Sequence, residues 1–214
     1  DLWHALVLGV RDYIGKNGFP GALLGLSGGI DSAVCAALAA DALGGDNVFG
    51  VSMPSVYSSD HSMSDAEDLA TRIGANYRTQ PIADMVQAFE DNLELGGVAS
   101  ENLQARVRGV ILMGISNAEG HLTLTTGNKT ELSVGYSTIY GDAVGGFAPI
   151  KDVPKTLVWA LSRWRNDYAV KLGQTPPIPV STPLAGSIGS DHSPLPRLPL
   201  LPLHCFLCEP QDLP

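Results

Sequence analysis

Leu2, Trp3, Leu6, Val7, Val10, Tyr13 and Ile14 recur at steps of three and four, which places them on one face of a helix over residues 2 to about 16. Gly18-Phe19-Pro20-Gly21 stops that pattern. The apolar run Leu23-Leu24-Gly25-Leu26 then reads as a strand and feeds Ser27-Gly28-Gly29-Ile30-Asp31-Ser32. An Ala-rich helix follows over roughly 31 to 43. Gly44-Gly45 closes it, and Asn47 to Met53, apolar at Val48, Phe49 and Val51, reads as a second strand. Strand, helix and strand at this spacing form a right-handed βαβ unit, the nucleus of a parallel sheet.

Beyond it the pattern repeats. Pro54 to Met63 is a Ser-rich loop carrying Tyr57, Asp60 and His61, either a ligand-edge loop or a solvated connection. Ser64-Asp65-Ala66-Glu67 matches a capping box opening a helix to about Ile73. Tyr77 to Pro81 predicts a short third strand, and Ile82, Met85, Val86 and Phe89 a helix closing near Gly96-Gly97. Ser100 reads as the cap of the next helix, with Leu103, Val107, Val110, Ile111 and Gly114 as its packing stripe. Asn102 and Arg106, four apart, share another face of it, a solvated surface unless something approaches, and Arg108 lies off that face. His121 to Thr126 predicts a Thr-rich fourth strand, with His121 structural. Asp152 reads as the cap of a last helix, with Pro154 in its first turn and an end near Arg165.

The bulk numbers narrow the class. With 214 residues, 44% hydrophobic and 16% charged, the chain suits one α/β domain plus something extra. A formal charge of −9 argues against a broad nucleic-acid footprint, which demands clustered Lys and Arg. No apolar run approaches the roughly 20 residues of a membrane span, and no signal peptide opens the chain, so a cytoplasmic location is expected. Three cysteines give no disulfide framework, and Cys35 reads as a small core residue.

Two loops carry the chemistry. A strand entering a helix through Gly28-Gly29 exposes backbone N–H groups at a helix N-terminus, a positive concavity suited to phosphate. It is neither a Walker loop nor a dinucleotide fingerprint. A plain glycine turn would look similar, but Asp31 sits where a carboxylate holds magnesium beside pyrophosphate, or caps the helix, and Ser27 and Ser32 add hydroxyls. Thr126-Gly127-Asn128-Lys129-Thr130-Glu131 repeats the design at the end of strand four. In a parallel sheet both loops emerge on one edge, so Asp31 and Glu131 are expected to share a magnesium site. Tyr136 to Phe147, with Asp142 and glycines at 141, 145 and 146, reads as a mobile lid or a closely approached ligand wall. Lys155 is a phosphate candidate, or a surface lysine.

The first loop resembles the pyrophosphate loop of the N-type ATP pyrophosphatases. The second loop, Tyr140-Gly141-Asp142, Gly145-Gly146-Phe147, Lys151-Asp152-Val153-Pro154-Lys155 and Asn102-Leu103-Gln104-Ala105-Arg106 together resemble NAD synthetase, more narrowly the synthetase domain of its glutamine-dependent form, over about residues 1 to 180. That resemblance implies an open, doubly wound, five-stranded parallel sheet with helices on both faces, of the adenine nucleotide alpha hydrolase kind. It implies a homodimer with the deamido-NAD site near the subunit interface. It also implies a ligase that amidates deamido-NAD to NAD through an adenylate, using ATP and Mg2+ and releasing AMP and pyrophosphate. Gly25 to Ser32, Thr126 and Lys155 would then meet ATP, Asp31 and Glu131 the metal. Asn102, Arg106, Glu131 and Asp142 would hold deamido-NAD, and Asp31, Glu131 and Lys155 would carry catalysis. Competing expectations are another amidating enzyme of the group, such as one like GMP synthetase, and a nucleotide-binding domain without full turnover.

Two departures qualify the resemblance. No nitrilase-like glutaminase domain precedes Asp1, so the expectation is a fragment or an ammonia-using partner of a separate glutaminase. Residues 181 to 214, dense in Pro, Leu and Ser, lack the family's continuation and read as an irregular tail outside the core. Cys205-Phe206-Leu207-Cys208 is only half of a zinc site.

Overall fold

The structure, a computed structural model, describes residues 1–55 and 60–179. The expected tail, its two cysteines and Tyr57 lie outside the described residues. In chain order the elements are α1 (Leu2–Lys16), β1 (Ala22–Gly25), α2 (Ile30–Leu43), β2 (Val48–Ser52), α3 (Asp60–Ile73) and β3 (Asn76–Thr79). There follow α4 (Ala83–Leu93), α5 (Val98–Glu119), β4 (Leu122–Thr123), α6 (Lys129–Val134) and α7 (Lys155–Lys171).

The four described strands pair in parallel in the order β3-β2-β1-β4. A parallel bridge between Leu124 and Phe147 extends the β4 edge, where a fifth strand would pair. Successive residues of a strand point to opposite faces, and the core divides accordingly. Ala22 and Leu24 pack with α1, α2, α3 and α7 on one face, while Leu23 and Val51 pack with α4 and α5 on the other. The sheet is thus wound on both sides. Its order reverses between β1 and β4: the chain moves outward through β2 and β3, then returns to the far side of β1. Open α/β sheets bind ligands in the crevice at such a reversal, beyond the strands' C-terminal ends.

Asp41 fastens α1, α2 and α7 together. It accepts from Trp3 Nε1 at 2.8 Å and from Arg165 Nε and Nη2 at 2.7 and 2.9 Å. Among the described residues, no helix is long and apolar enough to cross a membrane.

Three helix starts differ from expectation, and at one of them a distant group takes the place of a local cap. α3 starts at Asp60 instead of Ser64, and the Ser64 hydroxyl donates to the His61 carbonyl inside it. α5 starts at Val98, and Ser100 within it donates to the Glu90 carboxylate. α7 starts after Pro154, not from an Asp152 cap, and runs on to Lys171. Its first amide, Lys155 N, is satisfied by Thr130 Oγ1 at 3.0 Å, a partner in the second loop. β4 is two residues long, and of its expected continuation Leu124 forms only the bridge to Phe147.

Candidate functional site

The first loop is held by its own hydroxyls. Ser32 Oγ donates to the Gly29 carbonyl at 2.9 Å and lies 3.2 Å from Ser27 Oγ, which accepts from the Gly29 amide. Gly28 has φ +76°, and a Cβ there would come within 2.5 Å of the Ser62 carbonyl oxygen. Only glycine suits that left-handed, closely approached position. The N-terminus of α2 carries no side-chain cap, so its first-turn amides face the crevice.

The second loop is built on Asn128. Its side-chain oxygen accepts from Glu131 N at 3.0 Å, while its own backbone N–H donates to Glu131 Oε2 at 3.1 Å, a reciprocal cap on α6. Its amide Nδ2 donates to Asp31 Oδ1 at 2.9 Å, across 97 positions of sequence. Lys129 N donates to the Val153 carbonyl at 3.0 Å, and with the Thr130 cap this stitches the loop to the start of α7. That brings the Lys155 ammonium onto Asp31 Oδ2 and within 3.9 Å of Glu131 Oε1. Asp31, Glu131 and Lys155 therefore form one cluster between the two loops, 16%, 30% and 30% exposed.

Magnesium is implied by the resemblance, and the donors can be tested against it. Two carboxylates converge on one cationic group, each within reach of a common point, and both are hard oxygen donors. The residues present fit such an ion, with phosphate oxygens left to complete its shell. The field of the pair reaches the core: burial pushes the Cys35 thiol up, and the charges of Asp31 and Glu131 push it further. Cys35 is accordingly expected to resist alkylation by iodoacetamide at pH 8 in the folded chain and to label on unfolding. Mass spectrometry of its peptide is the check, and rapid native labelling would contradict this burial.

Two clefts open at this edge of the sheet, the larger of them against the cluster. One, of about 710 Å³, is bordered by Asp31, Glu131, Tyr136, Asp142 and Lys151. The other, of about 530 Å³, lies over the ends of β1 and β2 against Gly25, Leu26, Met53, Arg108 and Leu112. Ser27, Thr125, Thr126 and Asp142 border both. The wall between them is residues 136–147 packed on α5. Gly109 and Gly141 permit that approach, since a Cβ on Gly109 would meet the Tyr140 carbonyl at 2.9 Å and one on Gly141 would meet Ala105 Cβ at 2.9 Å.

Asn102 and Arg106 serve this wall. Asn102 Oδ1 accepts from Thr138 Oγ1 at 2.7 Å and Arg106 Nε donates to the Ile139 carbonyl at 3.2 Å. Neither borders the Asp31 cluster. Asp142 Oδ1 accepts from Thr138 N at 2.7 Å, which leaves its other oxygen toward the clefts.

Three residues of the site had no role assigned from the sequence. Asn128 stands there only as one residue of the second loop. Lys151 borders the larger cleft, although Lys155 is the better phosphate candidate from the sequence. Arg108 donates from Nε to the Met53 carbonyl at 3.1 Å; burial depresses its pKa, against the pull of Asp142. The signal for Arg108 was its offset from the Asn102 face.

Residues 2–181 match the family model described as NAD synthase. A glutamine-dependent NAD(+) synthetase from Synechocystis sp. is 55% identical over 172 residues, 78% of this chain and 31% of that protein. Among solved structures, the glutamine-dependent NAD+ synthetase of Acinetobacter baumannii in complex with ADP superposes with a TM-score of 0.82. Its identity is 47%, over 87% of this chain and 36% of its own. The NH3-dependent NAD synthetase of Campylobacter jejuni, in complex with nitrate, gives a TM-score of 0.74 at 32% identity, over 80% of this chain and 75% of its own. The chain spans about a third of the length of the glutamine-dependent relatives it matches.

Proposed function

The chain belongs to the NAD synthase family, and from that premise we propose that it carries the ATP-dependent amidation of deamido-NAD to NAD. The observation that carries the reading is the meeting of Asp31 and Glu131 on the Lys155 ammonium, at the sheet's reversal point and at the edge of the larger cleft. The smaller cleft, apolar at Leu26, Met53 and Leu112, suits the adenine of ATP, with Thr126 against the nucleotide. The first loop and the α2 amides suit its β and γ phosphates. The larger cleft, with Glu131, Tyr136, Asp142 and Lys151, suits deamido-NAD. Asn102 and Arg106 support that cleft through the wall they hold.

A carboxylate is a poor acyl donor because its oxygen leaves badly. The nicotinate carboxylate oxygen attacks the α-phosphorus, the bond to the bridging oxygen breaks, and pyrophosphate departs with the electron pair. Ammonia then attacks the carbonyl carbon, loses its surplus protons, and expels AMP to give the amide. Asp31 and Glu131 would hold Mg2+, whose charge counters that building on the leaving phosphates. Lys155 would supply a second positive charge there, and the first loop's backbone donors fixed dipoles. Ammonia would arrive free or from a glutaminase domain or subunit.

A homodimer accompanies this reading, with the exposed apolar side chains Val134, Tyr136 and Tyr140 beside the larger cleft as the surface a second copy would cover. The direct test supplies ammonia, ATP, Mg2+ and deamido-NAD to the chain and follows NAD and AMP. Equimolar NAD and AMP are expected; ATP binding without AMP would refute the activity.

A further inference from the structure

We propose that Asn128 is a positioning residue: it sets the spacing of Asp31 and Glu131, and so the metal geometry of the site, without touching phosphate or metal itself. The proposal rests on the reading of those two carboxylates as the magnesium pair. Asn128 is fully buried, at 0% exposure, and borders neither cleft. It nevertheless binds both carboxylate residues, through Nδ2 to Asp31 Oδ1 and through its backbone N–H to Glu131 Oε2.

A helix cap alone does not account for the side chain. Asp, Ser and Thr cap about as well as Asn, because capping needs only an acceptor. Asn adds a donor fixed on the far side of the same planar group. The orientation of that group is set by its neighbours. Turned over, its oxygen would face the Asp31 carboxylate and its NH2 the Glu131 N–H, two repulsive contacts in a buried place. Asp31 Oδ1 and Glu131 Oε2 are thus each held by Asn128, while Asp31 Oδ2 and Glu131 Oε1 are left to face the cation. The side chain selects which oxygen of Asp31 is presented, and the backbone N–H of the same residue which oxygen of Glu131. Buried partners of this kind, when removed, cost about 10- to 100-fold in metal affinity or activity elsewhere.

The test uses the full chain and measures ATP affinity twice, in EDTA and in saturating Mg2+, taking the ratio as the metal-dependent gain. Asn128→Ser keeps an acceptor for the cap but cannot reach Asp31. Asn128→Asp keeps cap and volume but replaces the donor with an acceptor. In both, the ratio is expected to fall by about tenfold or more while affinity in EDTA stays close to native. The thermal midpoint falls in Asn128→Ser, which leaves Asp31 Oδ1 without its buried donor, and further in Asn128→Asp, which sets a second carboxylate against it. Asn128→Ser added to Asp31→Asn should lower the ratio no further than Asp31→Asn alone. An unchanged or larger ratio in the folded variants overturns the proposal. So does a parallel loss of both affinities together with the thermal midpoint, the signature of a strut. A native ratio of one would instead remove the magnesium reading beneath it.

Discussion

Asp31→Asn is expected to slow pyrophosphate release by about 1,000-fold or more while leaving the fold intact. The substitution separates two duties of one carboxylate. Its Oδ1 accepts from Asn128, a bond that an amide oxygen reproduces at the same place. Its Oδ2 carries the negative charge that meets Lys155 and would meet the metal, which an amide cannot carry. Asp31→Ala should lose the same activity and more stability, because it strands the donor of a fully buried Asn128. An unsatisfied buried group of that sort costs about 1–3 kcal/mol. The pair of variants is read by AMP formation and by thermal denaturation. Turnover of Asp31→Asn within tenfold of native would remove Asp31 from the chemistry, and equal stability of the two variants would contradict the Asn128 contact.

The order of the strands and of every helix but the short α6, the two glycine loops and the side of the sheet they share are legible in the chain. Each rests on a local, repeated signal: apolar period, glycine, hydroxyl, acid. Helix starts were less legible. Ser64, Ser100 and Asp152 each stand in a good capping context, worth about 1 kcal/mol, yet Ser64 and Ser100 lie inside their helices, bonded to His61 and Glu90, and α7 takes its first-amide partner from Thr130. The clearest case is α7, whose first amide is capped by Thr130, 25 positions earlier. The same physics explains the site. Asp31 and Glu131 announce themselves by following glycine loops, whereas Asn128 carries no signal of its own because its bond to Asp31 spans 97 positions. Asn102 and Arg106 share a helix face as expected, but the loop that covers that face, residues 138–139, carries no sequence signal of its destination.

Lys155→Met is expected to lower turnover by about 100-fold and to make the chain respond to Mg2+ alone. In the native chain the ammonium lies on Asp31 and within 3.9 Å of Glu131 Oε1, filling the place between them with a positive charge. Methionine keeps much of the side chain's bulk and leaves two carboxylates converging on nothing. Both are partly screened, so the loss should be modest, about 1–2 kcal/mol, less than for a deeply buried pair. For a chain of this size that lowers the thermal midpoint by about 2–8 °C. A divalent ion can then take the vacated place: at ten times its dissociation constant it returns about 1.4 kcal/mol, enough to recover much of the midpoint. Native protein under the same Mg2+ should shift far less, because its own ammonium must first be displaced, and nucleotide phosphates are what would draw it off. Differential scanning calorimetry of both proteins, with and without Mg2+ and before any ATP is added, is the measurement. A native shift equal to or larger than that of Lys155→Met would mean the lysine does not hold the metal's place, and its role would shrink to phosphate binding alone.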